Sequence, residues 1–328
     1  MAECLSHRVS NGAGFELALV QTWEPSRLSR SRAPVVIVPG YGMNSFIFSF
    51  HPRGESFERF LCAKGFEVWR VDLRGQGESR SVGGTDVYGL EHLATEDLGS
   101  VLAAVLDRTH TSADRADVIG CSLGGTIAFL HAALAEQQLI GKLVAMGTPV
   151  RWVRIHPLVR AAFVSERLAG AVSFRGTRAL SQVLLPAAAR IAPSLLRIYM
   201  HPEIVDMEAA EAMTQTVEDP NRHVNRQIAG WLRQRDLIVR GTNLSDALPR
   251  MTHPLLCVVA NGDGIVPRET AEYPLLASGA RIKTRLDVGT RAVRMAHADM
   301  FVSNEAQARV FEPVAAWLAD PVASPQRI

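Results

Sequence analysis

The sequence predicts an α/β protein, a mainly parallel, doubly wound sheet carrying one inserted helical segment, and three observations predict it. Short apolar runs recur near residues 34–39, 66–71, 116–121, 140–146, 254–260 and 281–288, mostly separated by helical stretches such as Val87–Arg108. Alternation of that kind builds a parallel sheet with helices on both faces. The run at 116–121 passes through a glycine-bracketed turn into Thr126–Glu136, which holds helix formers and no breaker. Between Pro149 and Pro254 lies a stretch of about 100 residues without strand-like alternation, far longer than an ordinary loop. The expected organisation is a sheet-forming core at 1–150 and 251–328 and a helical cap at 151–250.

Taken in order, residues 5–23 alternate around Asn11-Gly12-Ala13-Gly14 and read as a hairpin. Pro34-Val-Val-Ile-Val-Pro39 is the first buried strand, and Gly40-Tyr41-Gly42-Met43-Asn44 follows it. Pro254-Leu-Leu-Cys-Val-Val-Ala260 is an uninterrupted apolar run, the mark of a central parallel strand, and it ends in Asn261-Gly262-Asp263-Gly264-Ile265-Val266-Pro267. The last strand, Arg281–Val288, precedes a loop that holds His297.

Composition narrows the class. With 328 residues, 47% of them hydrophobic, and a formal charge of +2, the chain has enough apolar surface for a large core and no basic excess for nucleic acid. The four cysteines, Cys4, Cys62, Cys121 and Cys257, are scattered, and two fall in core segments, as expected of reduced thiols in a cytoplasmic protein. The first residues have no charged start followed by an apolar stretch, and no apolar run reaches the ~20 residues that span a bilayer. The oligomeric state leaves no trace in the sequence.

The chemistry centres on Gly120-Cys121-Ser122-Leu123-Gly124, which fits the G-x-S-x-G pattern. A side chain at either glycine would collide with the backbone of so sharp a strand-to-helix turn, and the turn holds the Ser122 hydroxyl clear of its neighbours. A serine hydroxyl is a poor nucleophile, so a base, an acid to orient it and donors for an oxyanion must come from elsewhere. His297 is the candidate base; its alternative is a loop histidine capping a carbonyl. Asp263, at the carboxyl end of a central strand, is the candidate acid, with an Asx-turn between two glycines as the alternative. Asp287 and Asp299 compete with it; Asp299, two residues from His297, reads as a group bracing the loop. His51, His156, His201, His223 and His253 sit beside prolines or in charged helical segments and suit surface or capping roles. For the oxyanion, the Leu123 amide follows from the elbow, and the Tyr41 amide, flanked by glycines, is the second candidate against a plain turn.

The order Ser122, Asp263, His297 and these motifs resemble the α/β-hydrolase superfamily, across nearly the whole chain. Asp72-Leu-Arg74-Gly75-Gln-Gly77-Glu-Ser79 resembles the D-x-R-G-x-G-x-S stretch of monoacylglycerol-lipase-like hydrolases, and Gly262–Pro267 the family's acid loop. Gly124-Gly125-Thr126, Thr148-Pro149-Val150 and His297-Ala-Asp-Met-Phe-Val-Ser303 resemble the polyhydroxyalkanoate synthase branch and its neighbouring acid lipases. Those synthases use a cysteine nucleophile; here the position is Ser122, and Cys121 lies one residue early, which favours hydrolysis over polymer synthesis.

The resemblance implies a serine esterase or lipase acting on a small-molecule acyl ester through an acyl-enzyme, with no metal and no organic cofactor. An acyltransferase, a cofactor-free perhydrolase or haloperoxidase, and a hydrolase-fold binding protein that has lost catalysis are the alternatives. Residues 151–200 hold eight arginines (151, 154, 160, 167, 175, 178, 190 and 197) against one acid, Glu166, and apolar residues recur at helical spacing in 161–173 and 180–200. One reading is a lid meeting an anionic lipid surface or an anionic acyl carrier such as coenzyme A; the other, a solvated arginine face on amphipathic helices, is favoured.

Overall fold

The computed structural model describes residues 1–163, 176, 179, 181 and 196–322. Nine strands form one sheet. β1 (Glu3–Ser10) and β2 (Phe15–Trp23) make the expected hairpin, followed by β3 (Val35–Val38), β4 (Val68–Asp72), the two-residue β5 (Arg80–Ser81), β6 (Ala116–Cys121) and β7 (Ile140–Met146). After β8 (Ile238–Val239) and β9 (Thr242–Asn243), a separate hairpin, the sheet resumes with β10 (Leu255–Ala260) and β11 (Lys283–Val288). The order is β1-β2-β4-β3-β6-β7-β10-β11, with β5 on β2. β4, β3, β6, β7, β10 and β11 pair in parallel with one another, and β1, β2 and β5 pair antiparallel.

Both faces of the parallel strands are covered, which is why they read as runs rather than alternations. Val36 and Val38 enter one core with the helices Leu98–Arg108 and Leu123–Leu134; Val35 and Ile37 enter the other with Phe57–Ala63 and Glu312–Ala319. From β3 the chain moves outward to β4, then returns to lay β6 on the other side of β3. The carboxyl ends of β3 and β6 therefore flank the point where the strand order reverses, the crevice in which open α/β sheets place their ligands.

Residues 151–250 contain the helices Pro157–Ala162, Ala210–Met213, Arg222–Gln234 and Leu244–Ala247. The expectation that this stretch lacks strands is corrected by β8–β9, whose turn carries Arg240 and Gly241 at φ 49° and 76°. Two residues a side are too few to register as alternation. Val224, Ile228, Trp231 and Leu232 of the helix Arg222–Gln234 join the same core as Val36 and Val38. Arg167, Arg175, Arg178 and Arg190, and most of the helical spacing read at 161–173 and 180–200, lie outside the described residues.

Candidate active site

Ser122 follows β6 directly and precedes the helix Leu123–Leu134, at φ 53° and ψ −120°, a conformation rare for a residue with a side chain. The close packing of the turn explains its glycines. A Cβ at Gly120 would overlap the Gly125 backbone, and one at Gly124 the Val38 and Pro39 carbonyls. Thr126 Oγ1 donates to the Pro149 carbonyl at 2.7 Å, tying the helix to the loop after β7. Cys121 is buried, and desolvation holds its thiol well above the usual range, so it offers no competing nucleophile.

His297 and Asp263 meet. Nδ1 of His297 lies 2.6 Å from Asp263 Oδ2, with both side chains buried. Asp263 Oδ1 accepts the Ile265 and Val266 amides, each at 2.8 Å. The Asx-turn and the orienting carboxylate are thus one structure: one oxygen shapes the loop after β10, and the other faces the histidine delivered after β11. The Ser122 amide donates to the Met146 carbonyl at 2.8 Å. The next residue, Gly147, packs so closely on His297 that a Cβ there would lie 3.0 Å from Nδ1 and Cε1. Serine and imidazole therefore converge on the end of β7.

The loop after β3 abuts the serine, since a Cβ on Gly40 would stand 3.1 Å from Ser122 Cβ. Gly40, Tyr41, Leu123, Ile127 and Val224 line one small cavity of about 40 Å³. Leu123 begins its helix, where backbone amides have no partner within the helix. Tyr41 is also held by its side chain: its hydroxyl donates to Asn225 Oδ1 at 2.6 Å and its ring meets Phe163 edge-on at 5.8 Å. Burial raises its phenol pKa above the usual range.

Sequence reasoning misplaces one histidine. His201 is no surface group: its side chain is only 12% exposed, and Nδ1 lies 2.8 Å from Asp299 Oδ2. Asp299, fully buried, also accepts the Ala296 amide at 2.6 Å and the His201 amide at 3.0 Å. The second pair pins the loop of His297 from both sides, the bracing expected of Asp299. Desolvation raises the Asp299 pKa, its hydrogen bonds opposing the shift. Tyr199, two residues before His201, packs on the same loop: its carbonyl accepts the Ala298 amide at 2.8 Å, and its ring lies 6.1 Å from that of His297. Burial first, then the charges of Asp263 and Asp299, pushes its phenol up to about 12. Nothing in the sequence around His201, next to Pro202, signals a partner 98 positions later.

Asp287 is exposed and pairs with Arg268 and Arg285, away from the histidine. His51 and His156 cap as expected, accepting the Gly54 and Leu158 amides. A cavity of about 940 Å³ lies behind the acid turn, lined by Gly262, Asp263, His201, Arg154, Arg197 and Arg268 among others. Those three arginines are already paired, with Glu269, Glu203 and Asp287 respectively.

The Asp72–Ser79 stretch braces the fold. Asp72 accepts the Ser45 amide at 2.7 Å, and the guanidinium of Arg74, 4.9 Å from the Phe15 ring centre and 5.5 Å from that of Tyr88, binds Asp97 through two nitrogens. Among the described residues, no helix is long and apolar enough to cross a membrane.

Comparison with known proteins agrees with this fold. The model of the alpha/beta hydrolase family matches residues 35–312. A pimeloyl-[acyl-carrier protein] methyl ester esterase of Vibrio parahaemolyticus serotype O3:K6 is 25% identical over 244 residues, covering 72% of this chain and 78% of that protein. Among solved structures, an esterase from Exiguobacterium antarcticum superposes with a TM-score of 0.61 at 18% identity, covering 96% of this chain and 100% of the other. A meta-cleavage product hydrolase from Pseudomonas fluorescens IP01 gives 0.63 at 14%, covering 96% and 97%. At these identities the superpositions speak to the fold alone; the family match extends over most of the sequence, and the chain belongs to the alpha/beta hydrolase family.

Proposed function

We propose that the chain is a serine hydrolase of carboxylic esters, with Ser122 as nucleophile, His297 as base, Asp263 as the orienting acid, and the Leu123 and Tyr41 amides as oxyanion donors. The observation that carries this reading is the 2.6 Å His297–Asp263 pair lying against the strand end that also receives the Ser122 amide. His297 takes the Ser122 proton as Oγ attacks the ester carbonyl, and the two amides hold the negative oxygen of the tetrahedral intermediate. His297 then gives its proton to the departing alcohol, and a water molecule activated by the same imidazole releases the acid and restores the serine. Nothing in this sequence of steps requires a metal or an organic cofactor.

Residues 151–250 are proposed as a cap that shapes the acyl site, supported by the packing of Tyr41 against Phe163 and Asn225. The esterase names among relatives and structural neighbours support ester hydrolysis. In the described part of the arginine-rich stretch, Arg151, Arg154 and Arg197 pair with Asp236, Glu269 and Glu203, which favours the solvated face over a lipid or carrier contact. Hydrolysis of p-nitrophenyl esters of graded acyl length, with and without an added alcohol, tests the reading. We expect an optimum length and acid as the main product in both cases. Predominant transfer to the alcohol would make the enzyme an acyltransferase, and no turnover of any ester would remove the proposal.

A further inference from the structure

We infer that Asn225 is a positioning residue for the acyl-transfer step: from the segment 151–250 it holds, through the Tyr41 hydroxyl, the peptide whose amide stabilises the oxyanion. The inference rests on the serine-hydrolase reading above.

A backbone donor stabilises developing charge only if its direction is fixed before the reaction. Tyr41 stands between Gly40 and Gly42, and Gly42 adopts φ 61°, so the local chain has little stiffness of its own. Its orientation must come from outside. Downstream, Asn44 exchanges hydrogen bonds with Thr216 (amide to carbonyl 2.9 Å, Thr216 Oγ1 to the Asn44 carbonyl 3.2 Å), the Glu218 amide donates to the Gly42 carbonyl at 2.8 Å, and Met43 bridges Val217. These bonds clamp Gly42–Asn44 to residues 214–218, but none acts on the Gly40–Tyr41 peptide itself.

That peptide is held at two points. Gln76 Nε2 lies 3.4 Å from the Gly40 carbonyl, and because a peptide is planar and trans, a fixed carbonyl fixes the opposite direction of the Tyr41 N–H. The second point is the Tyr41 side chain, anchored at its tip by Asn225, 184 positions away. Asn225 is fully buried, and its Nδ2 has no hydrogen-bond partner among the described residues. A buried amide that leaves its donor unmade costs stability that an apolar residue of similar shape would avoid. Its oxygen is the part in use, and the Tyr41 hydroxyl is what it holds. The platform is rigid: the helix Arg222–Gln234 is capped by Asn221, whose Nδ2 donates to the Asp86 carbonyl, and Gln227 joins Leu90 and Glu91.

The test compares Tyr41→Phe, Asn225→Leu, their double variant and Asn225→Asp with wild type on one p-nitrophenyl ester, reading kcat and KM separately, together with Tm and the rate of Ser122 modification by a fluorophosphonate. Tyr41→Phe keeps the backbone amide and the ring and removes only the anchor. It is expected to lower kcat about tenfold, short of the full loss of an oxyanion donor, with KM and Tm nearly unchanged and phosphonylation slowed in parallel. The double variant should be no slower than either single variant, since one hydrogen bond is lost in all three. Asn225→Asp keeps the acceptor and should retain most of kcat. Tyr41→Phe with wild-type kcat, or losses confined to KM or Tm, overturns the positioning role. If wild-type Ser122 itself fails to react, the serine-hydrolase reading falls instead, so the two failures are distinct. Should Asn225→Leu fail to fold, Tyr41→Phe still decides.

Discussion

Replacing Asp263 by asparagine changes one atom, and the structure says which bond it removes. Oδ1 accepts two amides, from Ile265 and Val266 at 2.8 Å, a role only an oxygen fills. The asparagine must therefore keep its carbonyl there and turn its NH2 toward His297 Nδ1, which sits 2.6 Å from Oδ2 in the native pair. A donor now faces the ring, and the imidazole answers by carrying its proton on Nε2, the atom that must be free to take the serine proton. The turn keeps its hydrogen bonds, so the fold should survive, while kcat should fall by up to about 10⁴, equivalent to about 5 kcal/mol of transition-state stabilisation. Asp299→Asn should cost about tenfold, because Asp299 orders the loop through Ala296 and His201 without touching His297. The assay is kcat on a p-nitrophenyl ester for both variants, with Tm measured alongside. A larger loss for Asp299→Asn at unchanged Tm would refute the assignment of Asp263 as the acid.

Further predictions concern stability and its pH dependence. Arg74→Ala should destabilise the fold by about 3–5 kcal/mol in urea unfolding, since it strands the buried Asp97 carboxylate; a change under about 1 kcal/mol would show the pair to be dispensable. His131 is buried with Nδ1 2.8 Å from the Ala94 carbonyl and Nε2 without a partner among the described residues, and burial lowers its pKa below the ordinary 6.5. The unfolded chain then binds more protons in that range, so this contribution to stability is full above about pH 6.5 and is lost as the pH falls through the lowered folded value. His131→Asn should flatten the decline of Tm on acidification. A residual slope should persist from His51 and His253, which burial also lowers; an unchanged slope in the variant would exclude His131 as its source.

The strands are legible in the sequence because burial on both faces turns them into runs: Val35–Val38 and Leu255–Ala260 have no position that faces water. The elbow is legible because its glycines answer to backbone contacts made within a few residues or from the adjacent strand. What escapes is structure held by single distant contacts. β5 and β8–β9 are two residues long and owe their form to pairing rather than to pattern. His201 looks like any histidine beside a proline until the fold brings Asp299 to it, and the clamp at 214–218 joins segments far apart in the chain, in part through backbone groups, which leave no mark on side-chain identity. The glycines around Tyr41 point to its amide; that its hydroxyl reaches across to Asn225 follows only from where the helix Arg222–Gln234 packs.

The measurement that tests the central claim most directly is covalent labelling with a fluorophosphonate, followed by mapping of the modified peptide. An activated Ser122 should be modified once per chain, in the peptide spanning Gly120–Gly124. Ser122→Ala should take no label, and its esterase activity should fall by about 10⁶ toward the uncatalysed rate with the fold intact. Labelling at another serine, or no labelling of a protein shown to be folded, would contradict the account.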